Sequence, residues 1–144
     1  MKAKVSIFLA MFLVLLPGLV ARETVNDMNV KAALASSIAK KKLLDIPVFF
    51  KGQKHPAVAK TIGNWKANHH TRGAFRSDED SCHVAFVSAI YSLQQRCQRE
   101  GGDAVINIKS VTRNNPLESA TKFRCVAGST VVHVAFTGDV VKYK

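Results

Sequence analysis

From residue 77 onward the apolar positions change period in a way that marks elements. Ser77 stands before Asp78, Glu79 and Asp80, the form of a helix cap with acids in the first turn. Cys82, Phe86, Ile90, Leu93 and Cys97 then recur every three or four residues and line one face. Arg96 and Arg99 fall in the last turn and Gly101 offers a left-handed stop, so a helix is predicted to about Arg99. The period then drops to two. In DAVINIKSV (103–111), Ala104, Ile106 and Ile108 are expected on one face, with Val105, Asn107 and Lys109 on the other. Asn114, Asn115 and Pro116 mark a turn, and ATKFRCV (120–126) reads as a strand with Phe123 and Cys125 on a shared face. TVVHVAF and DVVKY, divided by Thr137 and Gly138, complete a β-rich tail.

Upstream the signals are mixed. Over 28–44, Val30, Leu34 and Ile38 recur every four residues among alanines, which predicts a helix capped by Asn26 or Asp27. Its apolar face is mostly alanine, and Lys40, Lys41 and Lys42 sit at the end where cations suit the helix dipole. IPVFFKGQ (46–53) reads as a strand, KHPAVAKTIGNW (54–65) as a connection or short helix, and WKANHHTRGAF (65–75) as a second strand. The buried stripe of the long helix needs a partner, and a sheet is the obvious one. The predicted fold is α+β: an antiparallel sheet of four to five strands packed on one long helix, with an additional N-terminal amphipathic helix. The boundaries expected are a signal peptide over 1–21, a basic helical segment over 22–45 and a single α+β domain over 46–144.

The signal peptide rests on the first residues. Lys2 and Lys4 precede an apolar run from Val5 to Leu16; Pro17 and Gly18 break it, and Ala21 is a small residue for cleavage. The uncharged run from Val5 to Ala21 falls short of the ~20 apolar residues of a membrane span. Cleavage is expected near Ala21, giving a periplasmic or secreted product. The first cysteine is Cys82, so no lipid-attachment cysteine stands at that point.

Charge then changes the picture. The chain carries 21 Lys or Arg against 10 acids. Between residues 28 and 76 there are ten cations and one acid, Asp45, while 77–144 is close to balanced. Such a field concentrates anionic partners and weakens in salt. The expected surface comprises Lys40, Lys41, Lys42, Lys51, Lys54, Lys60, Lys66, Arg72 and Arg76. Its expected partner is an anionic envelope component (lipid head group, polysaccharide) or a partner protein, with peripheral contact to an anionic membrane. Nucleic acid is not expected, because Trp65 beside Lys66, Arg72 and Arg76 is a thin stacking platform and no motif accompanies it.

The chemistry of catalysis is sparse. GxxxxGK[ST], GxSxG, HExxH and CxxC are missing from the sequence, and no cofactor or enzymatic activity is expected. An exported chain meets an oxidising environment, so its three cysteines point to a disulfide. Cys82 and Cys97 would lie about 22 Å apart along one helix, far beyond disulfide reach. Cys125 is therefore a partner in any intramolecular bridge. Cys82 is preferred, closing a loop worth about 3–4 kcal/mol, while Cys97 stays open as the alternative. Two rival functions follow from the remaining residues. One is a thiol enzyme using Cys82, which His83 is badly placed to serve because neighbours on a helix diverge by about 100°. The other is metal binding through the adjacent His69 and His70, given a further converging ligand.

DIPVFFKGQKHP, SDEDSCHVAFVSAIYSLQQR, GGDAVINIKS, ESATKFRCVAG and VAFTGDVVK together resemble a family of small exported bacterial proteins commonly labelled "excinuclease ATPase subunit". That label implies a phosphate loop and several hundred residues, which this chain does not contain. More distantly, the helix and GGDAVINI resemble YbjQ-like domains and the sensor lipoprotein of the Rcs stress relay. The resemblance implies helices on an antiparallel sheet, disulfide stabilisation and no demonstrated enzyme chemistry. It further implies Cys82 and Cys125 as the paired cysteines, with Cys97 where a small residue is more usual. The sensor's lipid anchor has no counterpart here, and the heavy-metal-binding label of YbjQ-like domains transfers to no residue.

Overall fold

The computed structural model describes residues 23–73 and 76–144, so the expected signal peptide lies outside the described residues. In chain order the elements are β1 (Glu23–Asn29), α1 (Val30–Leu34), α2 (Ser37–Lys42), β2 (Val48–Phe50), β3 (Val58–Arg72), α3 (Asp78–Glu100), β4 (Ala104–Ser110), β5 (Lys122–Gly128) and β6 (Val131–Tyr143). They form one sheet, with more residues in strands than in helices, and α3 packs on one face of it. Strand order is β1-β5-β6-β4-β2, with β3 along the other edge of β6.

The sheet is mixed, which corrects the wholly antiparallel expectation: β2 runs parallel to β4. The chain between them passes through β3 and α3, and a crossover of that length brings the next strand back in the same direction. One flank of β6 is shared by two strands. Val126 and Ala127 of β5 pair with His133 and Val132, and β4 pairs from Phe136 to Val141. Thr112 fills the fork, its hydroxyl accepting from the Ala135 amide at 3.0 Å and donating to the Arg124 carbonyl at 2.9 Å.

α3 begins and ends where its signals stand. The Ser77 hydroxyl accepts from the Asp80 amide at 3.1 Å, and Gly101 takes φ 70° at the stop. Its stripe of Cys82, Phe86, Ile90, Leu93 and Cys97 is buried. Phe86 meets Phe123, Phe136 and Phe50 at centroid distances of 4.6, 5.5 and 6.0 Å. Gln94 is the one large polar side chain buried on this helix; its amide accepts from Leu44 N and donates to the Leu44 and Ile46 carbonyls, each at 2.9 Å. That ties down the segment between α2 and β2.

The single N-terminal helix predicted over 28–44 is not found. Asn29 caps α1, accepting from the Ala32 amide at 2.9 Å, and Ser36 breaks the run by turning extended at ψ 152° and capping α2. Asn26 and Asp27, expected as caps, lie in β1. There the Arg124 guanidinium grips the Asp27 carboxylate at 2.8 and 2.9 Å, and this hydrogen bonding holds the carboxyl below its usual range. The segment expected as a connection or short helix is strand from Val58 onward, continuous with the predicted strand that follows.

Two further corrections share one cause. Thr137 and Gly138 do not divide the tail, because β6 runs through them. A Cβ on Gly138 would stand 2.7 Å from Val105 Cγ1 and 3.2 Å from Ile108 Cγ1, so glycine lets β4 and α3 close over this strand. Opposite it, Asn107 takes φ 51° and the register shifts between Ile106 and Lys109, a bulge. The bulge turns Ile108 to the helix side with Val105, whereas Ala104 and Ile106 pack with Val141 on the other face. The uninterrupted alternation expected for this strand is lost there.

Cys82 and Cys125 form a disulfide with Cα atoms 5.9 Å apart, joining the first turns of α3 to the middle of β5. Cys97 is free and buried. A disulfide fits an exported protein. Among the described residues no helix is long and apolar enough to cross a membrane.

Candidate anion-binding surface

β3 presents alternate residues to alternate faces, and the half that faces α3 builds a groove. Trp65 and Ala67 from β3 meet Ser92, Leu93, Gln95, Arg96 and Arg99 from α3, with Lys66 at the rim, around about 200 Å³. The Arg96 guanidinium lies over the Trp65 ring, 5.3 Å from its centroid, and bonds Glu100 Oε1 at 3.4 Å. Stacking of this kind is worth about 0.5–1 kcal/mol at an exposed site and leaves guanidinium N–H groups free to reach an anion. None of the groove's lining residues is acidic. Further along the same seam, His69 hydrogen-bonds Ser92 Oγ at 2.6 Å and Lys42 stands 5.5 Å over the Tyr91 ring. Burial, then the positive charges of Lys42 and His70, push the His69 pKa down.

All nine expected cations are exposed, but they do not form one patch. Lys66 lines the groove and Lys42 stands beside it, with Lys40 and Lys41 on the same short helix. Lys60 and Arg72 lie on β3, Lys54 in the loop before it and Arg76 just ahead of α3. Lys51 is engaged elsewhere: its Nζ pairs with Glu118 at 3.1 Å, and Lys109 pairs with the same carboxylate at 3.3 Å. It borders a polar pocket on the opposite face of the sheet, where Asp139 accepts from Asn64 and Asn107 at 2.8 and 3.0 Å. The sequence presents Arg96 and Arg99 only as cations of the helix's last turn. The signal available for them was the polar stripe Ser92, Arg96, Arg99, which keeps helical spacing beside the buried stripe.

Among the described residues, the groups named for the rival chemistries stand apart. His69 turns to α3, whereas its neighbour His70 stacks on His133 with centroids 4.1 Å apart on the other face. Among the described residues no three His, Cys, Asp or Glu side chains converge to hold a metal. Cys82 is bonded to Cys125 and has no thiol to activate. The Cys97 thiol is pushed up by burial and then by the Asp103 carboxylate, against a smaller pull from Lys142.

His133 makes one measurable consequence. Its Nε2 hydrogen-bonds the Asn68 side chain, and burial, followed by the charges of His70, Arg113 and Lys66, lowers its pKa from 6.5 to about 4. Below pH 6.5 the unfolded chain takes up a proton that the native one refuses, so stability falls as pH drops towards 4. The loss is at most about 3 kcal/mol at 1.36 kcal/mol per pH unit. Urea midpoints at pH 7 and pH ~5.5 should differ in the wild type, and in His133→Gln the difference should shrink to the part contributed by His69, whose pKa is also lowered by burial. An unchanged difference would assign the slope to another group.

No family model matches this chain, and neither the curated proteins nor the solved structures searched contain a match to it.

Proposed function

We propose that this protein is an exported, non-enzymatic binding protein of the bacterial envelope that holds an anionic component on the seam between β3 and α3. The observation that carries the reading is Arg96 laid on Trp65 with Arg99 beside it, in a groove that Lys66 borders at the rim and whose nearest carboxylate is Glu100, paired with Arg96. Guanidinium groups held in place by an aromatic face lose little further entropy when they bind phosphate or carboxylate. The lysines of α2 extend the same field past Tyr91. The disulfide and the charge asymmetry of the sequence support export and an anionic partner respectively. The family resemblance through GGDAVINIKS and ESATKFRCVAG belongs to the same proposal.

The test is retention on heparin and on phosphatidylglycerol vesicles, with phosphatidylcholine vesicles as the neutral control. Binding is expected at low salt and lost at ~0.5 M salt, where the screening length falls to about 4 Å. Arg96→Ala with Arg99→Ala is expected to weaken it roughly 30-fold, at about 1 kcal/mol per cation removed. Charge reversal at Lys40, Lys41 and Lys42 acts in the same direction. Binding indifferent to salt and to these substitutions would remove the proposal's basis.

A further inference from the structure

β3 is a long strand with a bare side. It pairs with β6 from end to end, and among the described residues no strand pairs with its other edge. The main-chain phase can be fixed from its surroundings. The Ala135 amide and carbonyl bond the Thr112 hydroxyl and the Val111 amide, so both point away from β3. Their neighbours Val134 and Phe136 therefore turn to β3 and meet His69 and Ala67. At the strand's end the Gly73 amide donates to the Thr130 carbonyl at 2.9 Å, in the same phase. It follows that Lys66, Asn68, His70 and Arg72 direct their N–H and C=O groups to the open edge, and all four residues are exposed.

Such an edge is a template for another strand, and its charge says which kind. Val58–Arg72 contains Lys60, Lys66 and Arg72 and no acid, and Arg96 and Arg99 flank it on the helix side. A second copy fits poorly: antiparallel self-pairing about residue 69 sets Lys66 directly opposite Arg72 of its mate. The chain's own residues 1–22 bring Lys2, Lys4 and Arg22 and no acid. We propose that β3 binds an extended acidic polypeptide as an added strand. Side chains opposite Lys66 and Arg72 then lie on the outer face, and the alternate ones reach towards Arg96 and Arg99. The inference rests on the anionic-partner reading for its sign of charge and narrows that partner to a polypeptide.

The experiment uses two labelled peptides of equal length and charge, one alternating glutamate with threonine, the other repeating Glu-Glu-Pro-Pro so that proline falls at both phases of a strand. Proline cannot donate to a ladder and is tolerated only where its nitrogen faces away from the neighbouring strand, so the second peptide cannot present an unbroken row of N–H groups to β3. The first is expected to bind and to slow hydrogen exchange at Lys66, Asn68, His70 and Arg72 at least tenfold, while the second binds at least tenfold more weakly. His70→Pro, whose N–H faces the open edge, should abolish binding of the first peptide and leave heparin retention in place. If that variant does not fold, the exchange pattern of the wild type still decides. Equal binding of both peptides, or heparin binding without either peptide, overturns strand addition and leaves the anion reading standing. Failure of heparin and both peptides overturns the two together. A dimer that protects the same four amides would replace the peptide by a second copy and overturn the proposal.

Discussion

Replacing Cys82 and Cys125 together by alanine is expected to cost about 4 kcal/mol, the loop-closure entropy of a 43-residue separation. For a domain of this size that is a drop of roughly 15 °C in Tm. The loss should not be even across the fold. Among the described residues β5 pairs with β6 at Val126 and Ala127 alone, and β1 pairs with no strand but β5. The disulfide is the covalent tie between that two-stranded arm and α3. Hydrogen exchange in the reduced or substituted protein should therefore quicken first in β1 and β5, before β3, β6 and α3. Cys97 provides an internal check: buried, with its thiol pKa raised, it should stay unreactive in the folded wild type and react once per chain after denaturation. A urea midpoint within about 1 kcal/mol of wild type would mean that the arm is held by its ladder and not by the bridge.

How far such features could be read in advance depends on whether their cause is local. α3 was legible because everything that makes it lies within its own residues: the Ser77 cap, a buried stripe and Gly101. Helix rise made Cys125 legible as one partner by excluding Cys82 with Cys97; the choice of Cys82 over Cys97 was a preference that the family resemblance also implied, and the structure makes it. β1 was not, because Asn26, Asp27 and Asn29 are poor strand formers, and its partners, Arg124 above all, come from the other end of the chain. The helix expected over 28–44 failed at one residue. Ser36 satisfies backbone groups with its own hydroxyl more readily than a helix interior uses it. In β4 the alternation breaks at Asn107 because Gly138, on another strand, leaves the space that the bulge fills.

The candidate surface divides along the same line. Net charge is additive along a sequence, so the basic character of residues 28–76 was visible at once. Which cations act together is a matter of tertiary geometry. Lys51 is drawn to Glu118, and Arg96 and Arg99 join Lys66 only because β3 lies against α3. His69 and His70 are adjacent in sequence and on opposite faces of a strand, which is the ordinary consequence of a period of two.

Phe86→Ala is expected to destabilise the fold by about 3–5 kcal/mol, towards the upper end of that range. Phe86 is fully buried where four elements meet, with Phe123 of β5, Phe136 of β6 and Phe50 of β2 around its ring. The cost of such a truncation depends on how far the walls collapse into the cavity. Here they are restrained. Cys82, one turn earlier on α3, is bonded to Cys125, two residues from Phe123. The helix and β5 are thus held apart at the spacing set by the bridge, so little of the lost volume can be recovered. Phe86→Leu keeps most of the volume and should cost only about 1–2 kcal/mol. The restraint makes a sharper statement than either value alone. In a background lacking the disulfide, Phe86→Ala should cost less than in the wild type, by about 1 kcal/mol, because the walls are then free to close. Urea unfolding of the four proteins in that cycle measures the coupling. Strict additivity would show that the bridge and the aromatic cluster act independently, and the helix–sheet spacing would have to be set by Gln94 and the sheet itself.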